Sequence, residues 1–479
     1  MKRVPSRGRW LMPRALLFGV VALSAATFSS CKGSDANPAG PAEAGVSDPY
    51  EESSVDPAFI AKQSGTKAFA GAIGYGAETK GGEGGRVIPV TTLADSGSGS
   101  LRACIDAKGP RVCVFRVGGV IRFTKHPPII SNPYLTIAGQ TAPGGGITLA
   151  HSGGAVGRTP LLIKNTHDVI VRQIRIRNDR EGNDRGSEDS ITIEGSDHVI
   201  IDHVSASWAR DEIVNGFADV DFVTVSNSIF SWGIPKHDKC ALLASDPVDA
   251  QNFSFINNVC AHNGDRNPDI NFPPGSCVEV INNILYNAQS EFAEIWESYG
   301  GTPVSLVGNV IKAGPNTTPH AVGVVRQAPG STGTASIYMA DNKFIGDFQY
   351  VTPRAAEVKR SSPPCPLTVR PMSAEKAYDT VLATAGAWPR DALDEKAIGD
   401  VRNGTGHIVH KPGEIPAVAT GTPYPDADRD GMDDRWEAKN GADPKKFDAW
   451  AKGNGRGESN LDAFLDYLDR TLVGRTGAT

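Results

Sequence analysis

Val199-Ile-Ile-Asp-His-Val204, Val223-Thr-Val-Ser-Asn-Ser228, Phe253-Ser-Phe-Ile-Asn-Asn258 and Val278-Glu-Val-Ile-Asn-Asn283 are variants of one pattern: an alternating apolar start, then turn-forming residues. Val169-Ile-Val-Arg-Gln-Ile174, Val304-Ser-Leu-Val-Gly-Asn309 and Ile337-Tyr-Met-Ala-Asp-Asn342 extend the series, and Leu135-Thr-Ile-Ala-Gly139 is an earlier member. Successive sixth positions lie 30, 24, 30, 25, 26 and 33 residues apart. Alternation over four or five residues is a strand signal. A lone strand of that length cannot bury its inward face, whereas stacked copies bury a continuous one. With no amphipathic helix between copies, the pattern predicts an all-β fold, a right-handed parallel β-helix with three short strands per coil. Asn258, Asn283, Asn309 and Asn342 share one position, which predicts a ladder at one corner. The reason offered by the residue type is that Asn tolerates left-handed backbone.

Composition agrees: 53 Gly and 33 Pro beside only 39% hydrophobic residues suit a turn-rich β protein. The net charge of −6 gives no general attraction to nucleic acid, so none is expected as a partner. A polyanionic ligand must meet local positive charge or a bridging cation.

Residues 1–31 read as an export signal: Lys2, Arg3, Arg7, Arg9 and Arg14 precede the apolar stretch Ala15 to Phe28, too short for a stable span. Phe28-Ser-Ser-Cys31 resembles a lipoprotein cleavage site, so a membrane attachment through lipidated Cys31 and ordinary signal cleavage are both open. Residues 32–65, rich in Ser, Asp, Ala, Pro and Gly, are expected to be a disordered tether. Six cysteines remain after Cys31. Cys104 and Cys113 flank a Lys-Gly-Pro turn and read as a local bridge in an oxidising compartment. Cys240, Cys260, Cys277 and Cys365 allow three pairings.

Several separated motifs over residues 66–411 resemble the pectate lyases, and in particular their bacterial secreted branch. They are Ala68-Phe-Ala-Gly-Ala-Ile-Gly-Tyr-Gly-Ala-Glu-Thr-Lys-Gly-Gly82, Gly99-Ser-Leu-Arg102, Leu135-Thr-Ile-Ala-Gly-Gln-Thr-Ala-Pro-Gly144, Ile201-Asp-His203, Ala383-Thr-Ala-Gly-Ala-Trp-Pro-Arg-Asp391 and Val401-Arg-Asn-Gly-Thr-Gly406. The resemblance implies calcium-dependent β-elimination on an acidic polysaccharide, polygalacturonate, by a monomeric enzyme. The proton on C5 of a uronate is α to a carboxylate and barely acidic while that carboxylate is a free anion. Ca²⁺ suits the task of neutralising it, because it takes many oxygen ligands at once.

Carried over by motif, the resemblance puts calcium ligands at Asp189, Asp211 and Asn215, with Glu212 competing. It puts a catalytic lysine at Lys239 and the base at Arg266. Arginine is an unusual base, since its pKa is normally above about 12; only the resemblance argues for it. A second arginine of the family falls on Asn271, a substrate-binding position left without its charge. His237 is a further substrate contact. His203 follows the inward alternation and is expected to be a hydrogen-bonded core residue.

After a Pro/Gly/Thr linker at 412–425, Asp426-Ala-Asp-Arg-Asp-Gly-Met-Asp-Asp-Arg-Trp-Glu437 places oxygen side chains at loop positions 1, 3, 5, 9 and 12 and Gly at 6. This is the EF-hand loop pattern, and Asp426, Asp428, Asp430, Asp434 and Glu437 are expected to hold a structural calcium. Thr422-Pro-Tyr-Pro425 excludes an entering helix. Residues 426–479 therefore read as a small α-helical calcium module, with Asp434 to Asn440 as exit helix and Ser459-Asn-Leu-Asp462 capping a second one. Asn454 to Asn460 looks like a degraded second calcium loop. Three rival functions are considered. A glycan hydrolase would need clustered catalytic aspartates, which are not seen. A pectin lyase would replace the metal acids by a cation. A non-catalytic glycan-binding β-helix would explain Asn271 but not Asp189, Asp211, Lys239 and Arg266 together. A lyase on a different uronate-containing polysaccharide is the nearest variant.

Overall fold

In a computed structural model, three parallel sheets of eleven, nine and nine strands wind around one interior, each strand pairing with the one a coil later. The described residues are 53–62, 65–182, 188–452 and 457–474. The export signal, Cys31 and residues 32–52 of the expected tether lie outside them. Among the described residues no helix is long and apolar enough to cross a membrane.

The quoted repeats are the rungs of the eleven-stranded sheet. Val199, Val223, Phe253, Val278, Val304 and Ile337 stack in register, as do Ile201, Val225, Phe255, Val280, Leu306 and Met339. Val199 to Ile337 and their buried partners line the interior, where Phe230 stacks on Phe255. Alternation thus puts every second side chain of a short strand into one continuous core.

The asparagine ladder is present and continuous. The Asn258 backbone N–H donates to Asn283 Oδ1 (2.8 Å), Asn283 to Asn309 Oδ1 (2.9 Å) and Asn309 to Asn342 Oδ1 (3.0 Å). Each of these side chains also donates back to a carbonyl of the previous coil, as Asn283 does to Phe255 at 2.8 Å. The left-handed residue of the turn is the one before the ladder, which corrects the expected reason. Asn227, Asn257, Asn282, Gly308 and Asp341 have φ between 50° and 63°. The ladder asparagines are retained for pairing buried backbone groups, not for their own φ.

Three further findings concern the surroundings. Residues 53–62 are not a free tether: Val55, Phe59 and Ile60 pack beside Ile256, Ile281 and Val307, and Ile60 forms a parallel bridge with Leu367. Their apolar side chains complete a patch that the coil ends leave open. His203 is buried, but in a left-handed turn (φ 50°) after the strand Asp197–Asp202, bonded to Asp202, not in the interior. The C-terminal segment does not stand apart. Met432, Trp436, Leu461, Phe464 and Leu465 pack on Val112, Val114 and Ala138 of the eleven-stranded sheet. Arg172 lies 2.7 Å from Asp469 across that junction.

The three outer faces are treated differently, and this positions the site. The segment Ala68 to Gly82 lies on the first sheet, where Thr136, Thr224 and Ser254 accept the N–H groups of Gly82, Gly76 and Tyr75 at 2.9 Å. A Cβ at Gly76 would stand 2.8 Å from the Val199 carbonyl oxygen, so the close approach requires glycine there. Helices Ala374–Thr384 and Ala392–Asn403 cover the third sheet through Ile229, Val259, Ile284 and Val310. Neither cover reaches the second sheet. Disulfides join Cys104 to Cys113, as the turn predicts, and resolve the other four as Cys240–Cys260 and Cys277–Cys365.

Candidate active site

The outer face of the second sheet carries a row that is polar at four of its five positions. Thr192, Asn215, Leu242, Asp269 and Glu294 are register partners on five successive rungs. Ile193, Val214, Leu243, Ile270 and Ile295 are among the buried residues of these strands. At about 4.8 Å per rung, the row spans about 19 Å, long enough for several sugar units.

Asp189, Asp211 and Glu212 bring carboxylate oxygens within 4.8 Å of one another. Asp189 is 1% exposed; its Oδ2 accepts from Thr192 Oγ1 (2.6 Å) and Asn215 Nδ2 (3.1 Å). Its Oδ1, and the Asn215 Oδ1, are buried without a hydrogen-bond partner. Burial, then the neighbouring Glu212, push the Asp189 carboxyl well above the usual carboxylate range. Burial and Asp211 raise Glu212 to about 7 against the opposing pull of Arg266. Orphaned oxygens and mutually repelling acids at one point fit a hard divalent cation such as calcium, which supplies the missing positive partner.

Lys239 and Arg266 stand beside this cluster. Lys239 lies one rung from Glu212 in register, and its ammonium pairs with Asp265. Arg266, in a left-handed conformation (φ 50°), reaches Glu212 Oε1 at 2.5 Å and Asp269 Oδ2 at 3.3 Å. Burial works against its charge, but Asp269, Glu212 and Glu294 outweigh this and hold the guanidinium protonated. His237 is exposed and lies 3.1 Å from Asp211 through Nδ1. Asn271 is not drawn into this group. It faces outward two residues beyond Asp269 and exchanges hydrogen bonds with Ser298 at 3.0 and 3.3 Å.

Sequence reasoning missed Asp265, Asp269, Glu291 and Glu294. Asp265 directly precedes Arg266 and Asp269 follows it by three residues, which is a signal; Glu291 and Glu294 become their neighbours only through coil stacking.

The C-terminal loop gathers a separate set. Asp426, Asp428 and Asp430 form one group of converging oxygens, and Asp430, Glu437 and Asp448 another. Glu437 is fully buried with both carboxylate oxygens unpartnered. Burial, then Asp430, Asp428 and Asp448, push it up to about 8. Gly431 takes φ 92°, as loop position 6 requires. Two details bear on the expected ligand set. Asp434 falls in neither group, and its Oδ1 accepts the Ala427 N–H at 2.8 Å. Asp448, eleven residues past Glu437, takes part instead. The exit helix Asp434–Asn440 and the helix Asn460–Val473, capped by Ser459, form as predicted. Residues 454–456 of the degraded second loop lie outside the described residues, and Ser459 and Asn460 of it open the second helix.

No family model matches the chain. Among curated proteins it is 32% identical over 421 residues to the probable pectate lyase C of Aspergillus fumigatus, covering 84% of this chain and 93% of that protein. The probable pectate lyase C of Emericella nidulans is 31% identical over 423 residues, at 84% and 92% coverage. Among solved structures, the cedar pollen allergen jun a 1 aligns with a TM-score of 0.46 at 18% identity, over 71% of this chain and 93% of that one. The relatives named are fungal, and the bacterial branch stays an expectation from the motifs alone. With nearly a third of its residues shared across more than nine-tenths of curated pectate lyases, the chain belongs to the pectate lyase family and is a polysaccharide lyase.

Proposed function

We propose that this enzyme cleaves polygalacturonate by calcium-dependent β-elimination, with the polymer lying along the outer face of the second sheet. The observation that carries the reading is the meeting of Asp189, Asp211 and Glu212, with two orphaned oxygens, beside Lys239 and Arg266 on adjoining rungs. Asp189, Asp211, Glu212 and Asn215 would hold calcium, whose charge offsets a uronate carboxylate and so acidifies the proton on C5. Lys239 is an ammonium on the same face, suited to stabilise negative charge developing on that carboxylate as the proton leaves. Arg266 is the residue assigned to take the C5 proton; in the uncomplexed geometry its carboxylate partners oppose that role, so substrate must draw it away from them. His237, exposed at the rim, is placed to contact the sugar chain.

The test is the ultraviolet absorbance of unsaturated product on polygalacturonate, with and without chelator. No product at any alkaline pH sinks the lyase reading on this polymer, and product indifferent to chelator sinks the calcium mechanism. We further infer that residues 1–31 direct export, with Cys31 as the site of any lipid anchor, that the enzyme acts as a monomer, and that the loop at 426–437 holds a structural calcium. The organisation into a catalytic β-helix (66–411), linker (412–425) and calcium module (426–479) is part of the same reading.

A further inference from the structure

We propose that a second divalent cation of the calcium type binds on the same sheet face, beyond Lys239 and Arg266, held by Asp265, Glu291 and Glu294 with Asp269 beside them. The first three bring carboxylate oxygens within 4.8 Å of one another. The neighbouring cations neutralise this group only in part: Lys239 pairs with Asp265, and Arg266 pairs with Glu212 and Asp269. Glu294, 5% exposed, receives only the backbone N–H of Arg266, at 3.3 Å.

An independent observation points the same way. Asp269 is 3% exposed, and its Oδ1 is buried with no hydrogen-bond partner. Register sets Asp269 directly beside Glu294, while the adjoining Ile270 and Ile295 face the core. A buried carboxylate oxygen without a donor is costly unless something positive is bound to it. Oxygen donors alone suit calcium over softer metals.

Charge balance gives the site a purpose. Asp189, Asp211, Glu212, Asp265, Asp269, Glu291 and Glu294 are seven carboxylates against Lys239 and Arg266, an excess of five negative charges on a face proposed to bind a polyanion. One dication leaves an excess of three; a second leaves one. Asp269, beside the proposed ion, lies two residues before Asn271, where the family resemblance leads one to expect an arginine, and the ion would supply positive charge for a substrate carboxylate on this face. That role rests on the lyase reading; the binding itself does not.

The experiment is isothermal titration of the full chain with Ca²⁺ alone, comparing the parent with Glu291→Gln and with Glu291→Gln/Glu294→Gln. Asp189→Asn and Asp430→Asn serve as references for the other two sites. Both glutamine variants should bind one calcium fewer than the parent while keeping the ions that the reference variants lose. Their KM for polygalacturonate should rise about tenfold at fixed calcium, as expected for a lost charge contact. Glu291 is only half-buried, so the single variant reads the site even if the double one fails to fold. Parent stoichiometry in a folded Glu291→Gln overturns the proposal, as it means that protons rather than a cation neutralise the cluster. Loss of one ion without any lyase activity in the parent leaves this site standing and removes only the lyase reading.

Discussion

Arg266 Nη1 stands 2.5 Å from Glu212 Oε1, so the proposed base and one proposed calcium ligand share a hydrogen bond. A cation and the guanidinium therefore compete for the same carboxylate. Arg266→Ala should lower kcat on polygalacturonate by about 100-fold or more, yet tighten calcium binding several-fold by freeing Glu212. The variant also leaves Asp269 buried beside other acids, so its Tm without calcium should fall and recover on calcium addition. Calorimetric titration and a melting curve read the two effects, and weaker calcium binding in the variant would disprove the competition.

Asn215 offers the site an amide where a second carboxylate would add charge. Its Nδ2 donates to Asp189 at 3.1 Å, and its Oδ1 has no partner. Asn215→Asp removes the donor and adds a fourth acid to Asp189, Asp211 and Glu212. Without metal it should lower Tm, because a buried like charge is added. With calcium it should bind on the order of tenfold more tightly, since ligand charge sets affinity. Opposite signs in the two conditions are the signature; a loss in both means that Asn215 does not face the ion.

The fold was legible because its determinants are local and repeated. All eight quoted segments begin with an apolar residue that stacks in register on its counterpart, so the interior could be read from periodicity alone. The ladder position was legible too, but not its reason: the left-handed residues are Asn257 and Asn282, one earlier, and the ladder asparagines pair buried backbone groups. Acids within a motif, such as Asp189, could be proposed from the sequence. Asp269 and Glu294 could not, because they lie 25 residues apart and only coil stacking makes them neighbours. Asp448 was hidden for a similar reason. It lies outside the twelve-residue loop, on a return of the chain that no spacing rule describes.

The Asp202–His203 pair ties the C-terminal helix to the coil and gives a pH prediction. Burial opposes the imidazolium, but Asp202, and Asp469 of the docked helix, raise the His203 pKa. Burial likewise opposes the Asp202 carboxylate, while His203 and Arg172 hold it below the usual range. A raised histidine contributes fully below its unfolded value of about 6.5 and loses that contribution as pH rises through its folded value. A lowered aspartate contributes above about 3.9 and loses it as pH falls. The pair is therefore strongest between about pH 4 and 6.5. His203→Gln should show its largest Tm deficit in that window and a smaller one at pH 9 and above. A deficit that grows with pH would mean that His203 acts through packing rather than charge.

The C-terminal loop allows its ligands to be tested against its hydrogen bonds. With no cation bound, Glu437 at about 8 is largely protonated at neutral pH and Asp430 at about 7 is about half protonated, so calcium must displace protons. Binding should therefore weaken as pH falls from 8 to 6. Calcium at 100 times its Kd adds about 2.7 kcal/mol to the folded state, so chelation should lower Tm by a few degrees. The loop packs through Met432 and Trp436 against the same cluster as Phe464, so loosening of the helix Asn460–Val473 should accompany that drop. Asp448→Asn should weaken calcium binding by about tenfold, as Asp430→Asn does. Asp434→Asn should leave affinity near the parent value, because Asp434 Oδ1 is already engaged with the Ala427 N–H. If Asp434→Asn is the more damaging of the two, the loop coordinates by its sequence positions, and Asp448 serves only to hold Asn460, whose side chain donates to it at 3.1 Å.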